Sequence, residues 1–354
     1  MIETLLETFG DGTVLLLAGL VTGVLFGVAA QRSRFCLRAS TVELAHGRIG
    51  PRMTIWLIVF ATALAATQGA ILTGLLDVTD ARQLSGAGSL SGAILGGAMF
   101  GIGMVLARGC ASRLLVLSAT GNLRALVTGL LLTLVAQSAL SGVLAPAREA
   151  ISGLWLISGP ERDLMQGLGL QRPLVLAVAL LALGLALILA HRRGVSPLAA
   201  LAGVGVGLAV TLGWILTYMI AQTSFEIVPV SSVTFTGPAT DTLMALVTQR
   251  SVPLSFGIGL VPGVFLGAGV AALLAGEWKI ERFGPDTPME RYIAGAVLMG
   301  FGAMLAGGCA VGSAVSGGSV LSLTAWVAGA SIWAGGMATV FVLDRAGGAR
   351  PAAA

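Results

Sequence analysis

Apolar residues fill nine long stretches of the chain, at about 13–31, 52–76, 89–107, 121–145, 173–191, 196–220, 251–275, 291–307 and 318–343. Each has about the 17–25 residues that a helix needs to cross a bilayer. None shows the strict alternation over about ten residues that a membrane barrel strand requires. Aspartate, glutamate, lysine and histidine stay out of the interiors of these stretches and gather between them. The pattern predicts an all-α integral membrane protein of about nine transmembrane helices, as a single membrane domain over 1–354. Some of the glycine-rich stretches are candidates for broken or re-entrant helices. Before the first stretch, "MIETLLETFGDG" carries Glu3, Glu7 and Asp11. A cleaved leader needs positive charge there, so a short interfacial helix is expected instead.

Composition agrees with this reading. The chain is 56% hydrophobic and 10% charged, with a mean hydropathy of +0.95. A water-soluble domain carries about 25% charged residues. Glycine stands at 51 of 354 positions, which suits helices that approach closely within lipid.

Cationic residues orient the chain. With the N-terminus outside, 15 of the 20 lysines and arginines fall on the inner side. The five on the outer side are Arg82, Arg148, Arg162, Arg172 and Arg250. The positive-inside bias therefore predicts an outside N-terminus and a cytoplasmic C-terminus. The net charge of +4 is accounted for by these loops and points to no nucleic-acid partner.

The chain repeats itself. "GIGMVLARGCAS" at 101–112 returns as "GFGAMLAGGCAV" at 300–311. Laying Cys110 over Cys309 matches Gly96 with Gly295, Gly101 with Gly300, Gly103 with Gly302 and Gly109 with Gly308. Laying Cys36 over Cys110 matches Gly23 with Gly97, Phe26 with Phe100, Gly27 with Gly101 and Arg34 with Arg108. A fainter fourth copy, "GVGVGLAVTLGW" at 203–214, places Trp214 where the cysteine would stand. The repeats divide the chain into halves at about 13–145 and 196–343, joined by a linking helix at about 173–191. Matching stretches lie five crossings apart, so the second half enters the membrane in the opposite sense. Inverted repeats of this kind belong to transporter architectures with a site at the midplane.

The three cysteines, Cys36, Cys110 and Cys309, therefore occupy equivalent places, each after an apolar helix and before a short segment. A buried cysteine is often a small packing residue, but three at matching positions of a repeat suggest a shared task. No Cys-x-x-Cys pair exists and neither His46 nor His191 adjoins a cysteine, so no metal site is expected. No cofactor motif is present either. Helix N-termini offer free N–H groups and positive potential, and a thiol adds a weak, soft donor. With Arg34 and Arg108 beside them, the cysteines form a candidate path for a sulfur-bearing anion. Gly109 and Gly308 would let the backbone come close to it. No ionisable residue inside a stretch offers a proton relay, and no Walker phrase exists for nucleotide binding.

"QRSRFC" at 31–36, "ARGCAS" at 107–112 followed by "GN" at 121–122, and "AGGCAVG" at 306–312 resemble the cysteine motifs of the YeeE/YedE family of sulfur-transport membrane proteins. The resemblance spans about 13–343. It implies an hourglass-like fold of inverted repeats with short half-membrane helices, in a bacterial inner membrane, with Cys36, Cys110 and Cys309 lining a thiosulfate path. It also implies thiosulfate uptake beside a TusA-like cytoplasmic sulfur carrier, with membrane lipid around the protein. Arg113 stands where thiosulfate importers of the family are expected to carry a small residue. The species passed therefore stays open among thiosulfate, another sulfur oxyanion and a selenium compound. The alternative is a membrane thiol-redox enzyme that exchanges disulfides or sulfane sulfur with a carrier. That reading needs two cysteines at disulfide distance, and the sequence offers no cofactor or quinone site for it.

Overall fold

The computed structural model describes residues 2–283 and 289–346. It is almost wholly helical. The long helices are α2 (Asp11–Ser33), α4 (Pro51–Leu72), α5 (Leu90–Leu106), α7 (Leu123–Ser141), α10 (Arg172–Arg192), α11 (Pro197–Thr223), α13 (Phe256–Leu274), α14 (Met289–Leu305) and α15 (Leu323–Ala346). All nine apolar stretches of the sequence are thus helices. Their starts follow ordinary capping chemistry: Ser89, Asn122, Ser196 and Ser255 each accept a bond from a first-turn amide of the helix they open. Pro51 and Pro197 open α4 and α11 where no amide partner is lost. The expected interfacial helix is α1 (Ile2–Phe9), which packs on α2 and α11. A two-stranded ribbon of β1 (Gly88–Ser89) and β2 (Leu156–Ile157), with α8 (Ala145–Ser152) and α9 (Leu164–Leu168), fills the connections.

Eight helical stretches among the described residues are long and apolar enough to cross a membrane. The ninth expected crossing is α14, which has 17 residues and spans about 26 Å, short of a hydrocarbon core of about 30 Å; α5 is as short, but the short helix after it extends its helical stretch to Ala119. Helix α14 stops early because Gly307 turns left-handed, with φ 76°.

Breaks of this kind shape the interior. Three long helices end alike, and each is followed by a short one: α3 (Leu37–Ala45) after α2, α6 (Ala111–Ala119) after α5, and a π-helix (Val311–Gly317) after α14. At the turns, Arg34, Arg108 and Gly307 are left-handed, with φ of 51°, 55° and 76°. The next amide closes back five residues: Phe35 to Ala30, Gly109 to Met104 and Gly308 to Ala303. This is the Schellman ending, used three times at the same distance before a cysteine. A fourth short helix, α12 (Thr236–Thr248), follows α11 across the irregular segment 224–235.

Helix α11 does not break at Trp214, where the fourth sequence copy places an ending. It runs on to Thr223 with Trp214 fully buried. No left-handed residue stands two places before the tryptophan, so the helix continues.

The packing is orderly. Helix α2 lies on α13, and α11 on α4; α5 lies on α15, and α14 on α7. The short helices α3 and α12 pack on α4 with α15 and on α13 with α7, respectively. Helix α6 packs on α7 and α13, and the π-helix on α15 and α4. Exchanging α2 with α11, α4 with α13, α5 with α14, α7 with α15, α3 with α12 and α6 with the π-helix leaves these pairings unchanged. Glycines make the crossings close. Gly23 meets Gly263 on α13, and Gly101 meets the backbone of Ile332 on α15. The pairings run in register, Gly23 with Leu260 and Gly27 with Val264, so α2 and α13 are parallel.

Candidate functional site

The four short helices share one feature at their first residue. The carbonyls of Cys36, Cys110, Phe235 and Cys309 accept the opening bonds of α3, α6, α12 and the π-helix, from Ser40, Leu114, Ala239 and Ser313 at 3.2, 2.9, 2.9 and 2.8 Å. All three cysteines are therefore helix-opening residues. The fourth such place, which the sequence repeat assigned to Trp214, is held by Phe235. An aromatic residue at the right glycine spacing suggested the wrong position; the cue available in the sequence was the threonine-rich start of the short helix after 224–235.

All three cysteines are free. Cys110 and Cys309 are buried, each with 1% of its surface exposed, and Cys36 is half-buried. The Cys110 sulfur lies 3.3 Å from the Ser112 hydroxyl. The Cys309 sulfur accepts from the amides of Phe235 and Gly312 at 3.4 and 3.5 Å and lies 3.7 Å from the Thr234 hydroxyl. Two short helices thus converge on one sulfur, an arrangement that favours negative charge near it.

Gly109 and Gly308 are the residues just before Cys110 and Cys309. A Cβ at Gly308 would stand 2.8 Å from the Ser313 hydroxyl, whereas at Gly109 it would meet only the Leu114 side chain at 3.3 Å. The left-handed residue at each break is the one before, Arg108 or Gly307.

Arg34 and Arg108 are the turn residues, and both are exposed. Arg34 donates to Glu277 at 3.1 Å, and Gln31 holds the other oxygen of that carboxylate at 3.0 Å. The arginines that point inward are Arg38, in the first turn of α3, and Arg113, in the first turn of α6. The Arg38 Nε and one terminal nitrogen of Arg113 are buried without a partner. The sequence signal for them is their place two and three residues after a cysteine.

Beside Gly308 is a cleft of about 530 Å³, lined by Arg82, Arg148, Thr234, Asp241, Gly307 and Gly308 among others. Arg82 donates to the Gly307 carbonyl at 3.3 Å. A smaller cleft of about 320 Å³ shares Arg82, Arg148 and Gly307 and reaches Ser313. Arg162 is spent on structure there, donating to the carbonyls of Gln83, Ser85 and Gly86. Two of the five arginines that the sequence places outside therefore line a cleft that reaches Gly308, the residue before Cys309.

Residues 32–338 match the profile of the sulphur transport family. That stretch holds all three cysteines and the four short helices α3, α6, α12 and the π-helix, and it begins at the end of α2.

The chain belongs to the sulphur transport family.

It is accordingly a multi-pass membrane protein of a transporter family, not of an enzyme family. Two characterised relatives are similar along nearly their full length. The thiosulfate transporter TsuA of Spirochaeta thermophila is 29% identical over 92% of this chain and 98% of its own. The thiosulfate transporter TsuA of Escherichia coli is 25% identical over 88% of this chain and 90% of its own. The sulphur transport family assignment makes a sulfur-containing anion the cargo.

Proposed function

We propose that this sulphur transport protein imports thiosulfate across a bacterial inner membrane along the series Cys309, Cys110, Cys36. The observation that carries the reading is the repeated ending: a left-handed turn, then a cysteine that opens a short helix, three times in one fold. Each such place presents a thiol together with a positive helix terminus, and neither binds an anion tightly. A path of several weak sites passes an ion faster than one tight site.

The direction follows from charge. With the N-terminus outside and the C-terminus cytoplasmic, the Arg82 and Arg148 cleft faces outward and gathers the anion toward Cys309. Cys36 and Cys110 then lie toward the cytoplasm. Exchange of the two sets of packed helices supports reading 13–145 and 196–343 as inverted copies about an axis in the membrane plane, with α10 as the linking helix. Gly109 and Gly308 keep the chain slim before two of the thiols, and Arg34 and Arg108 edge the inner opening. A TusA-like carrier would meet the anion at that opening, and lipid would cover the exposed leucines of α10.

Uptake of radiolabelled thiosulfate by cells or proteoliposomes carrying the protein, run beside sulfate and sulfite, tests the reading. Thiosulfate uptake above vesicles without the protein is expected. Equal counts in the two refute it.

A further inference from the structure

A short run of chain ties the segments of Cys36 and Cys110 together. Helix α13 ends as α2, α5 and α14 do. Gly276 is left-handed, with φ 67°, and the Glu277 amide closes back five residues to Ala272 at 2.9 Å. Helices α2 and α13 are parallel, so their two Schellman endings lie on the same side, at the inner opening. Glu277 reaches the α2 ending just before Cys36. One carboxylate oxygen takes Arg34 at 3.1 Å, and the other takes Gln31 at 3.0 Å.

Two residues on, the same run meets the end of α6, the helix that Cys110 opens. The Lys279 and Glu281 amides donate to the carbonyls of Thr120 and Gly121 at 3.3 and 3.0 Å, and the Leu123 amide donates to the Glu281 carbonyl at 3.1 Å. Asn122 donates its side-chain amide to the Glu281 carboxylate, while its oxygen caps α7 at Ala125. Gly121 has φ 97°, and a Cβ on it would stand 2.4 Å from the Lys279 carbonyl oxygen. The "GN" at 121–122 thus has a use: glycine admits the strap, and asparagine fastens it. Helix α6 packs mainly on α7 and α13 rather than on α2, so residues 277–281 directly link the Cys36 turn to the Cys110 helix.

The other half has a counterpart. The turn after the π-helix is bridged where Asp163 meets Ser322, and the Leu164 amide donates to the Leu321 carbonyl at 3.0 Å. Exchanging α6 with the π-helix and α7 with α15 carries one bridge onto the other. Their fastenings differ. Arg162, 4% exposed, fixes the outer strap on three carbonyls. The inner strap rests on Arg34 and Glu277, whose side chains are 57% and 41% exposed. An exposed ion pair adds little to global stability, so this one sets a local position rather than holding the fold.

We propose that Glu277 is a positioning residue for transport: through the strap 277–281 it holds the Cys36 turn and the Cys110 helix in one fixed relation, so that the anion passes between the two thiols. The inference rests on the transport reading and adds to it the element that aligns its two inner stations.

Two measurements on the full chain in proteoliposomes test this together: uptake of radiolabelled thiosulfate, and labelling of Cys36 by a membrane-permeant maleimide. Cys110 and Cys309 are 1% exposed, so the label reads Cys36, and Cys36→Ala sets its background. Glu277→Ala should lower maximal uptake at least threefold with KM within twofold of wild type, because the outer cleft is untouched. It should also label Cys36 at least threefold faster. Asn122→Asp keeps the cap on α7 but sets a second carboxylate against Glu281, freeing the strap at its other end. It should have the same two effects, and Glu281→Ala replaces it should it fail to insert. The double variant should be no worse than the worse single one, because both changes release one strap and coupled sites are not additive. Wild-type uptake in Glu277→Ala overturns the proposal, whatever the labelling. A raised KM with unchanged maximal uptake, or losses that multiply in the double variant, also overturns it. Should the wild type take up no thiosulfate, the transport reading fails by itself. Faster Cys36 labelling in both single variants would then still support the strap, and wild-type labelling would overturn it.

Discussion

Gly96 and Gly302 meet face to face. A Cβ on Gly96 would stand 2.6 Å from the Gly302 carbonyl oxygen, and a Cβ on Gly302 would stand 2.6 Å from the Gly96 oxygen. One turn or two further along the same crossing, Gly103 and Gly295 repeat the relation, at 2.5 and 2.7 Å. The sequence repeat matches Gly96 with Gly295 and Gly103 with Gly302. The match therefore carries one contact onto the other. Helices α5 and α14 each deliver a cysteine from this crossing.

No side chain fits between these backbones. Gly302→Val and Gly96→Val should each lower stability by about 1–3 kcal/mol, the usual cost of overpacking. Gly184→Ala, on α10 with nothing within 4 Å of the added carbon, should leave it unchanged or raise it. Thermal unfolding in detergent separates the three. Equal melting temperatures for Gly302→Val and wild type would mean that the crossing yields.

The breaks before the cysteines give a second expectation, because the left-handed residue is arginine twice and glycine once. Left-handed backbone costs a non-glycine residue about 1–2 kcal/mol. Arg108→Gly should thus stabilise the fold or leave it unchanged, while Gly307→Val should destabilise it by about that amount. If Arg108 also edges the anion path, Arg108→Gly lowers uptake while the melting temperature holds. A loss of both would show the arginine to be structural.

Much of this arrangement was legible in the sequence, and the rest was hidden for physical reasons. Nine apolar stretches became nine long helices because lipid and neighbours favour apolar side chains on every face. The offset that aligns Cys110 with Cys309 picked out the four glycines of the crossing, Gly96, Gly103, Gly295 and Gly302. The breaks at Arg34 and Arg108 were hidden because arginine does not announce a left-handed turn as Gly307 does. The short helices α3 and α6, of nine residues each, carry too few residues to show a period. Trp214 was misleading because glycine spacing marks close packing, which α11 needs against α4, and says nothing about where a helix ends. Arg34 and Arg108 drew attention by adjacency, whereas direction was decided by the turn: it aims Arg34 at Glu277 and leaves Arg38 and Arg113 facing inward.

Orientation yields a third expectation. The bias of arginine and lysine toward one side predicts a cytoplasmic C-terminus. A C-terminal fluorescent fusion should be bright, and a C-terminal alkaline phosphatase fusion inactive. An active phosphatase would reverse the direction assigned to the cysteine series.

The central claim is that the thiols themselves pass the anion, and labelled thiosulfate uptake by single cysteine variants is its most direct measurement. Alanine removes the donor with little change in packing. A net hydrogen bond is worth about 0.5–1.5 kcal/mol, so each variant should insert and fold. Cys110→Ala, at a fully buried thiol, should abolish uptake or reduce it strongly. Cys36→Ala and Cys309→Ala should reduce it, and serine at any of the three should fall short of cysteine. Wild-type uptake in all three alanine variants, alone and combined, would contradict the account and leave the cysteines as packing residues.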